Sequence, residues 1–518
     1  VTSTLGRSRP DENAWGPPLR ITVLRSRELP VLVYASALLL TFGYEIFSFH
    51  LTIDEELAGP QSAPSYALAW VAQGRWAMGA LALLLPNPVV PVVSAGIGVA
   101  LTGVAWWLIC RRILQLERWP AAATAALVGT VPTFAYLYSF STIAYGIGVG
   151  ALLVTAFLTS FISPSWRFRL AGIAAATFAV AIYDTFVVVL VVLAMAVVVR
   201  RPTVRVALEV SGGVLVSFVL SRLIGQLATL IFHSPQSGYV DNLVDVSGFL
   251  AHPVARSRGA IGALWQVLSL QADRVGLHSP FLAITVLVLA VLAVAAAVTT
   301  AGGLRARLLT VLATVVVLGT PVAAQAVSPL VPLRSMIYIP AAILVLAALS
   351  MRFLARTSAP ARRVLLTALA VLCVLTVLGS ATISNRMFAA SETSYQRDQI
   401  LAFEIQRQVE LQTGGDETQD LAVVASGEHT WIPSAVTPYV DTLGASFFGW
   451  DGGAVTRMAG FLQTQGVVVH AGDRKDQRQA RTELDDMPDY PADGWVRVDD
   501  GRLLLKFGPR TALQEQAQ

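Results

Sequence analysis

The chain has 518 residues, of which 55% are hydrophobic and only 14% charged, and its mean hydropathy is +0.62. Soluble globular proteins carry roughly 25% charged residues, so composition excludes an ordinary water-soluble enzyme and indicates a multi-span membrane protein. The net charge is +4, but the arginines stand in short clusters between apolar runs and make no continuous stripe, which argues against a nucleic-acid partner.

Residues 1–29 are polar, carry Arg20, Arg25 and Arg27, and read as a cytoplasmic N-terminal segment without a cleavable signal. A membrane-crossing helix needs about 20 apolar residues. Such runs fall at 30–49, 88–110, 120–138, 143–163, 170–199, 206–232, 279–301, 308–327, 337–350 and 364–383. The run 170–199 has Arg169 before it, Arg200 and Arg201 after it, and one interruption, at Tyr183-Asp184-Thr185. As one helix it would be about 45 Å long and would place Arg305, Arg307, Arg352, Arg356, Arg362 and Arg363 outside. As two short helices meeting at Asp184 it keeps every cluster inside. The second reading is preferred and predicts about 11 transmembrane helices over 30–383. Cys110 and Cys373 lie in apolar runs and read as packing residues.

Three outer segments follow from this topology: 50–87, 233–278 and the tail 384–518. In the first, Ser62–Leu85 reads as an amphipathic helix lying at the interface. The second carries His233, His252, Arg256, Arg258 and Asp273. In the tail, 392–412 and 451–465 read as helices, and Leu421–Ala425 and Val467–His470 as short strands. Trp495–Phe507 reads as a hairpin around an Asp-Asp-Gly turn. The expectation is a small extracytoplasmic α/β domain.

Of the 33 acidic residues, six lie between positions 57 and 383 and twenty after 383. Against that depletion, Asp54-Glu55-Glu56 stands out at the outer end of the first span. Adjacent carboxylates repel one another, so at least one holds its proton more tightly than in free solution. Such a group suits general-base work on a sugar hydroxyl. Gly74-Arg75-Trp76 follows about twenty residues on. Arginine offers a planar fork to phosphate oxygens, and tryptophan stacks on a sugar or anchors at the headgroups. Arg334, between the ninth and tenth spans on the outer side, breaks the inside-positive pattern and reads as a phosphate ligand or an interfacial anchor. Arg222, within an apolar run, must find a partner or snorkel outward. Tyr183 and Asp184 line the same cavity or close a hairpin tip, and Glu45 is similarly open. Adjacent carboxylates such as Asp54-Glu55-Glu56 can hold Mg2+ or Mn2+, but the chain has no second acidic cluster to complete such a site and the histidines at 233, 252 and 278 lack metal-ligand spacing, so no cofactor is expected and a divalent metal is the less favoured alternative.

The first outer loop, Ile53-Asp-Glu-Glu-Leu57 followed by Trp70 and Gln73-Gly-Arg-Trp76, resembles the bacterial type-II Gtr family, the serotype-converting O-antigen glucosyltransferases. Asn385-Arg-Met-Phe388 with Tyr395 and Asp398, and Gly444–Asp451 with Arg457-Met458, are similar to the same family. The family's loop usually reads Asp-Asp-Glu where this chain has Asp54-Glu55-Glu56, and Tyr183-Asp184 stands where Tyr-Gln is expected. The resemblance implies a GT-C-like polytopic fold in a bacterial plasma membrane. It implies an inverting glycosyltransferase that moves a sugar, glucose by analogy, from a polyprenyl-phosphate donor to a cell-surface glycan or lipid-linked glycan on the outer face. By the same implication Asp54 is the base, with Glu55 or Glu56 orienting it or binding sugar hydroxyls, and Arg75 is a candidate for the leaving phosphate. A transporter or flippase of lipid-linked sugars is the competing reading, and a polysaccharide polymerase a third.

Overall fold

The computed structural model describes residues 28–84, 87, 89–234, 244–270, 278–299, 303–330, 332–415, 420–432 and 442–516. The segment 1–27, Asp241 and Asp273 lie outside the described residues. The apolar runs fold as helices in chain order. α1 is Leu29–Phe47; after it come three short helices, α2 Glu55–Ala58, α3 Ala63–Ala72 and α4 Trp76–Ala82. α5, Pro91–Leu108, ends in a π turn at Ile109–Ile113. α6 Arg118–Gly129 and the segment Pro132–Tyr138, which ends in α7 Ala135–Tyr138, form a pair bent by 51°. Pro132 explains the bend, because proline lacks the N–H to continue the helix and forces the residue before it out of helical geometry. Then follow α8 Ser141–Ile162, α9 Trp166–Ile182, α10 Phe186–Arg200 and α11 Val204–Ile231. α12 Val246–Ala251 and α13 Pro253–Leu268 are shorter helices. α14 Phe281–Val298, α15 Gly303–Val327, α16 Tyr338–Leu354 and α17 Ala359–Thr413 complete the bundle.

Among the described residues seven helices are long and apolar enough to cross a membrane, eight if the bent pair is one span. The sequence reading has eleven. The difference lies in α9, α10 and α16, which have only 17, 15 and 17 residues. The run 170–199 does divide at Tyr183-Asp184-Thr185 into two helices. Arg200 donates to the carbonyls of Arg112 (2.6 Å) and Ile113 (3.0 Å), and Arg352 to that of Val199 (2.6 Å). The Tyr183 hydroxyl instead meets Ser335 Oγ (2.6 Å), just ahead of α16. The arginine clusters therefore gather at one end of the bundle and the Tyr183–Asp184 tip at the other.

Small residues let the helices approach closely, as expected where lipid removes the hydrophobic drive between spans. A Cβ on Gly98 of α5 would lie 2.5 Å from the Ala144 carbonyl oxygen of α8, and one on Gly148 would lie 3.0 Å from the Gly98 oxygen.

The sequence reading ends the last span at 383 and starts a separate helix at 392. The structure has one unbroken helix of 55 residues, α17, roughly 80 Å long. Residues 384–391 contain no proline or glycine, so the backbone continues although the side chains turn polar; Gly414 (φ +69°) caps the end in the left-handed conformation. Beyond it lies a four-stranded sheet. β1 Leu421–Ser426 and β2 Val469–Ala471 pair in parallel, β1 also pairs with β4 Arg502–Lys506, and β3 Val496–Asp499 pairs antiparallel with β4, giving the order β2-β1-β4-β3. Asp500 (φ +45°) and Gly501 (φ +72°) make the expected hairpin turn, which requires positive φ at both positions. Between β1 and β2 lie an irregular turn, α18 Trp450–Gly453, and α19 Val455–Thr464. The buried core around this sheet takes in Leu51 and Ile53 from the first loop, together with Phe447, Phe448 and Phe461.

Gly98→Leu is expected to lower stability by about 1–3 kcal/mol, because the side chain would meet backbone that cannot yield. Gly212→Ala, inside α11 where a Cβ meets nothing within 4 Å, is the control and is expected to be unchanged or more stable by up to about 1 kcal/mol. Thermal unfolding in detergent micelles reads the difference, and equal melting temperatures would contradict the packing argument.

Candidate active site

The acidic loop is fixed residue by residue. The Thr52 hydroxyl donates to the Ser139 carbonyl (2.8 Å), and Glu55 accepts from the backbone N–H groups of Thr52 (2.9 Å) and Ser141 (2.5 Å). Asp54 begins the short helix α2 at φ +85°. Its side chain is 46% exposed, whereas Glu55 and Glu56 are fully buried.

The counter-charge comes from the far end of the chain. Arg457, in the first turn of α19, donates to Asp54 Oδ1 (3.0 Å), Glu56 Oε1 (2.5 Å) and Asp451 Oδ2 (2.6 Å). Three residues on, Gly460 lets α19 rest on the loop: a Cβ there would lie 2.9 Å from the Glu56 carbonyl oxygen. The turn bearing Trp450 and Asp451 is itself pinned by α17. Asp398 is buried and accepts from Trp431 Nε1 (2.8 Å), Ser446 Oγ (2.8 Å) and the Phe447 N–H (2.7 Å), while Ser391 Oγ accepts from the Gly444 N–H (3.1 Å). The motif Gly444–Asp451 with Arg457 contains these residues, but their sequence spacing gave Arg457 and Asp451 no role, since 403 residues separate Arg457 from Asp54.

A second charged group forms around Arg75. The expected single helix Ser62–Leu85 is broken by Gly74 (φ +76°) into α3 and α4. The break turns Arg75 inward, its guanidinium carbon 5.5 Å from the centre of the Trp70 ring and 5.0 Å from that of Tyr183. Asp184 lies between two arginines, 3.6 Å from Arg75 Nε and 2.8 Å from Arg222 Nη2. Arg222 thus finds the partner its apolar surroundings demand. Arg334 lies 5.0 Å over the ring of Phe140.

One cavity of about 590 Å³ joins the two groups. Asp54, Arg75, Tyr183 and Arg334 line it, together with Asp451 and Arg457, which the sequence reading left unassigned. Glu55, Glu56, Asp184 and Arg222 lie outside its lining and act on it through their partners. Trp76 is turned away, with its indole N–H donating to the Ser221 carbonyl (3.2 Å) and its ring packed 4.8 Å from Phe178. It anchors α4 against neighbouring helices rather than facing the cavity. Glu45 is also outside, buried 3.5 Å from His50. Among the described residues no three histidine, cysteine or acidic side chains cluster as metal ligands would; the carboxylates of Asp54, Glu56 and Asp451 converge on a guanidinium.

Burial raises the Glu55 carboxyl to about 7, with hydrogen bonds from Ser141 and Thr52 pulling it back. Burial raises Glu56 to about 8, with Arg457 opposing the shift and Asp54 adding to it. Both groups bind a proton more tightly folded than unfolded, so the stability they contribute is full below about pH 4.5 and is lost as pH rises through about 7 and 8. The chain is therefore expected to lose stability between pH 5 and 8, and Glu56→Gln to flatten that slope. Unfolding midpoints measured across this range check it, and an unchanged slope in the variant would refute it.

No curated protein matches the sequence. A family model, Glucosyl transferase GtrII, matches residues 43–351. That stretch is more than half of the chain and contains every predicted site residue; the tail, with Asp451 and Arg457, lies beyond it. An acidic first loop and an arginine-bearing cavity, set in a bundle of apolar helices, thus fall inside a match that places this chain in the glucosyl transferase GtrII family, as a membrane glycosyltransferase.

Proposed function

We propose that the chain transfers a hexose, glucose by family analogy, from a polyprenyl-phosphate donor to a cell-surface glycan, with inversion, on the outer face of a bacterial plasma membrane. The observation that carries this reading is the single cavity in which Asp54 and Arg75 both present charge. The acceptor hydroxyl attacks the anomeric carbon as Asp54 takes its proton. The bond from that carbon to the phosphate oxygen breaks, and the electron pair leaves with the lipid phosphate. Inversion requires the attacking hydroxyl and the leaving phosphate on opposite faces of the sugar. The arrangement suits this, because the acids and the phosphate-binding cations come from different elements: Asp54 from the first loop, Arg75 from the α3–α4 break and Arg334 from the turn before α16.

Ser139-Phe140-Ser141 spans the two groups. Its backbone holds Thr52 and Glu55, and the Phe140 ring carries Arg334. Trp70, Tyr66 and Trp450 add aromatic faces for the sugar rings. In this reading the leaving charge is met by guanidinium groups and requires no metal. The outward orientation is supported by the arginine clusters at the opposite end of the bundle, where Arg200 and Arg352 lie. The 384–518 tail would then be extracytoplasmic.

Asp54→Asn is expected to lower kcat by about 10²–10⁴-fold while donor binding persists, and Arg457→Ala to lower kcat in the same direction through its loss of hold on Asp54. Transfer from a radiolabelled lipid-phosphate sugar and equilibrium binding of the same donor are the two measurements. Full transfer by Asp54→Asn would overturn the assignment of the base, and a flux of lipid-linked sugar without transfer in the wild type would favour a transporter.

A further inference from the structure

The cavity has two unlike walls. One comes from the helical bundle and its loops and carries Arg75, Tyr183 and Arg334; the other comes from the tail and carries Thr442, Trp450, Asp451 and Arg457. The cation of the tail wall, Arg457, has all three side-chain nitrogens engaged, by Asp54, Glu56 and Asp451. In the proposed reaction a departing phosphate is therefore met from the bundle wall, by Arg75 and Arg334. Inversion sets the acceptor across the sugar from that phosphate, towards Asp54. The Asp54 carboxylate stands beside that of Asp451, the two held by Nη2 and Nε of one guanidinium.

Three features of the tail wall fit a sugar. Asp451 gives Oδ2 to Arg457 (2.6 Å) and its side chain is 52% exposed, so its other oxygen is left to accept from sugar hydroxyls. Trp450 borders the same space with a half-buried side chain, and an indole face packs well on the C–H face of a pyranose. Thr442 is 4% exposed, and among the described residues its hydroxyl has no hydrogen-bond partner. Buried hydroxyls are nearly always bonded, so this one calls for a ligand in the cavity that it lines.

The turn is held in shape before anything binds. Asp451 takes φ +53°, a costly conformation that persists only where the surroundings over-determine it. Thr511 Oγ1 donates to the Gly452 carbonyl (2.8 Å) and Gln514 Nε2 to that of Gly453 (2.9 Å), while Asp398 fixes Ser446 and Phe447 ahead of the turn. A rigid carboxylate and ring bind a ligand without the entropic cost of ordering themselves.

We propose that Thr442, Trp450 and Asp451 form the acceptor subsite, and that the residue receiving the hexose is an uncharged sugar. The proposal rests on the reading of the chain as a transferase to a surface glycan, and deepens it. Two partly exposed carboxylates, Asp54 and Asp451, share one guanidinium, so this wall is net negative and repels a uronate or a phosphate-bearing residue. The donor's own sugar is a poorer occupant, because its phosphate ties it to Arg75 and Arg334.

The test measures transfer by the full-length protein from a radiolabelled polyprenyl-phosphate hexose to surface glycan purified from cells lacking this protein. Linkage analysis of the labelled product is expected to find the new hexose on a neutral residue; an acidic or phosphate-bearing one would overturn the proposal. Asp451→Asn and Trp450→Leu are expected to raise KM for the glycan by about tenfold and to leave the Kd of the donor unchanged. Thr442→Val is expected to act in the same direction to a smaller extent, without touching Arg457. A fall in kcat with KM for the glycan unchanged, as expected if Asp451 only holds Arg457, would overturn the subsite, and so would an equal loss of donor affinity. A wild type that transfers nothing to this glycan would overturn the functional reading, and the subsite with it.

Discussion

The position of Asp54 depends on a loop gripped alternately from two sides. Leu51 and Ile53 enter the apolar core around the tail sheet, while Thr52 and Glu55 bond to the backbone at Ser139 and Ser141 in the helical bundle. Alternation of this kind is what an extended segment offers, successive side chains pointing to opposite faces. The consequence falls on Asp54, which takes φ +85°. A non-glycine residue there costs of order 1 kcal/mol or more and persists only where its surroundings over-determine it. Aspartate is among the residues that tolerate the left-handed region best. The loop thus exposes one carboxylate to the cavity and buries its two neighbours.

Arg457 makes that arrangement electrostatically tolerable. Removing a carboxylate from water is expensive, and a buried pair offsets the cost only with good geometry and further hydrogen bonds. Glu56 is fully buried, and even with Arg457 at 2.5 Å its desolvation outweighs the attraction, so its proton is retained up to about pH 8. Near neutrality the guanidinium charge is then left chiefly to Asp54 and Asp451, the two partners with exposed side chains (46% and 52%). Docking of α19 on α2, with Gly460 allowing backbone contact, makes the tail a structural part of the site rather than an appendage.

Much of this was legible in the sequence, and the remainder was not for physical reasons. Apolar runs located the helices because burial in lipid demands them, and Tyr183-Asp184-Thr185 marked a break because an ionisable residue in a 30-residue run is costly at the membrane centre. The Asp-Asp-Gly hairpin was readable because its turn needs particular residues. The unbroken α17 was not, since the sequence changes polarity at 383 while the backbone has no reason to stop. The division of Ser62–Leu85 rested on Gly74, a single residue whose positive φ is visible only in three dimensions. Asp54 and Arg75, which line one cavity, stand out in the sequence by local clustering against an acid-poor background. Arg457 is a partner fixed by tertiary packing, and no local pattern carries that information. Trp76 looked equivalent to Arg75 in the motif, yet adjacent residues on a helix do not face the same way.

The Arg75 group has a property that bears on how charge is handled during transfer. Two aromatic rings, Trp70 and Tyr183, place the guanidinium, while Nη1 donates to Gln73 Oε1 (3.2 Å) and Nε lies 3.6 Å from Asp184. Arg75 and Arg222 share the single carboxylate of Asp184, so the trio keeps one net positive charge. A sugar joined to a lipid phosphate is a diester with one negative charge, and the released monoester carries up to two, its second pKa being about 6. On the proposed reaction, attraction to this group therefore grows as the sugar–phosphate bond breaks, and only interactions that strengthen towards the transition state accelerate chemistry. A glutamine at position 184 would leave two positive charges and hold the donor more tightly before reaction. On the proposed reaction aspartate there weakens both the hold on the donor and the gain on departure of the phosphate, since each scales with the charge of the group.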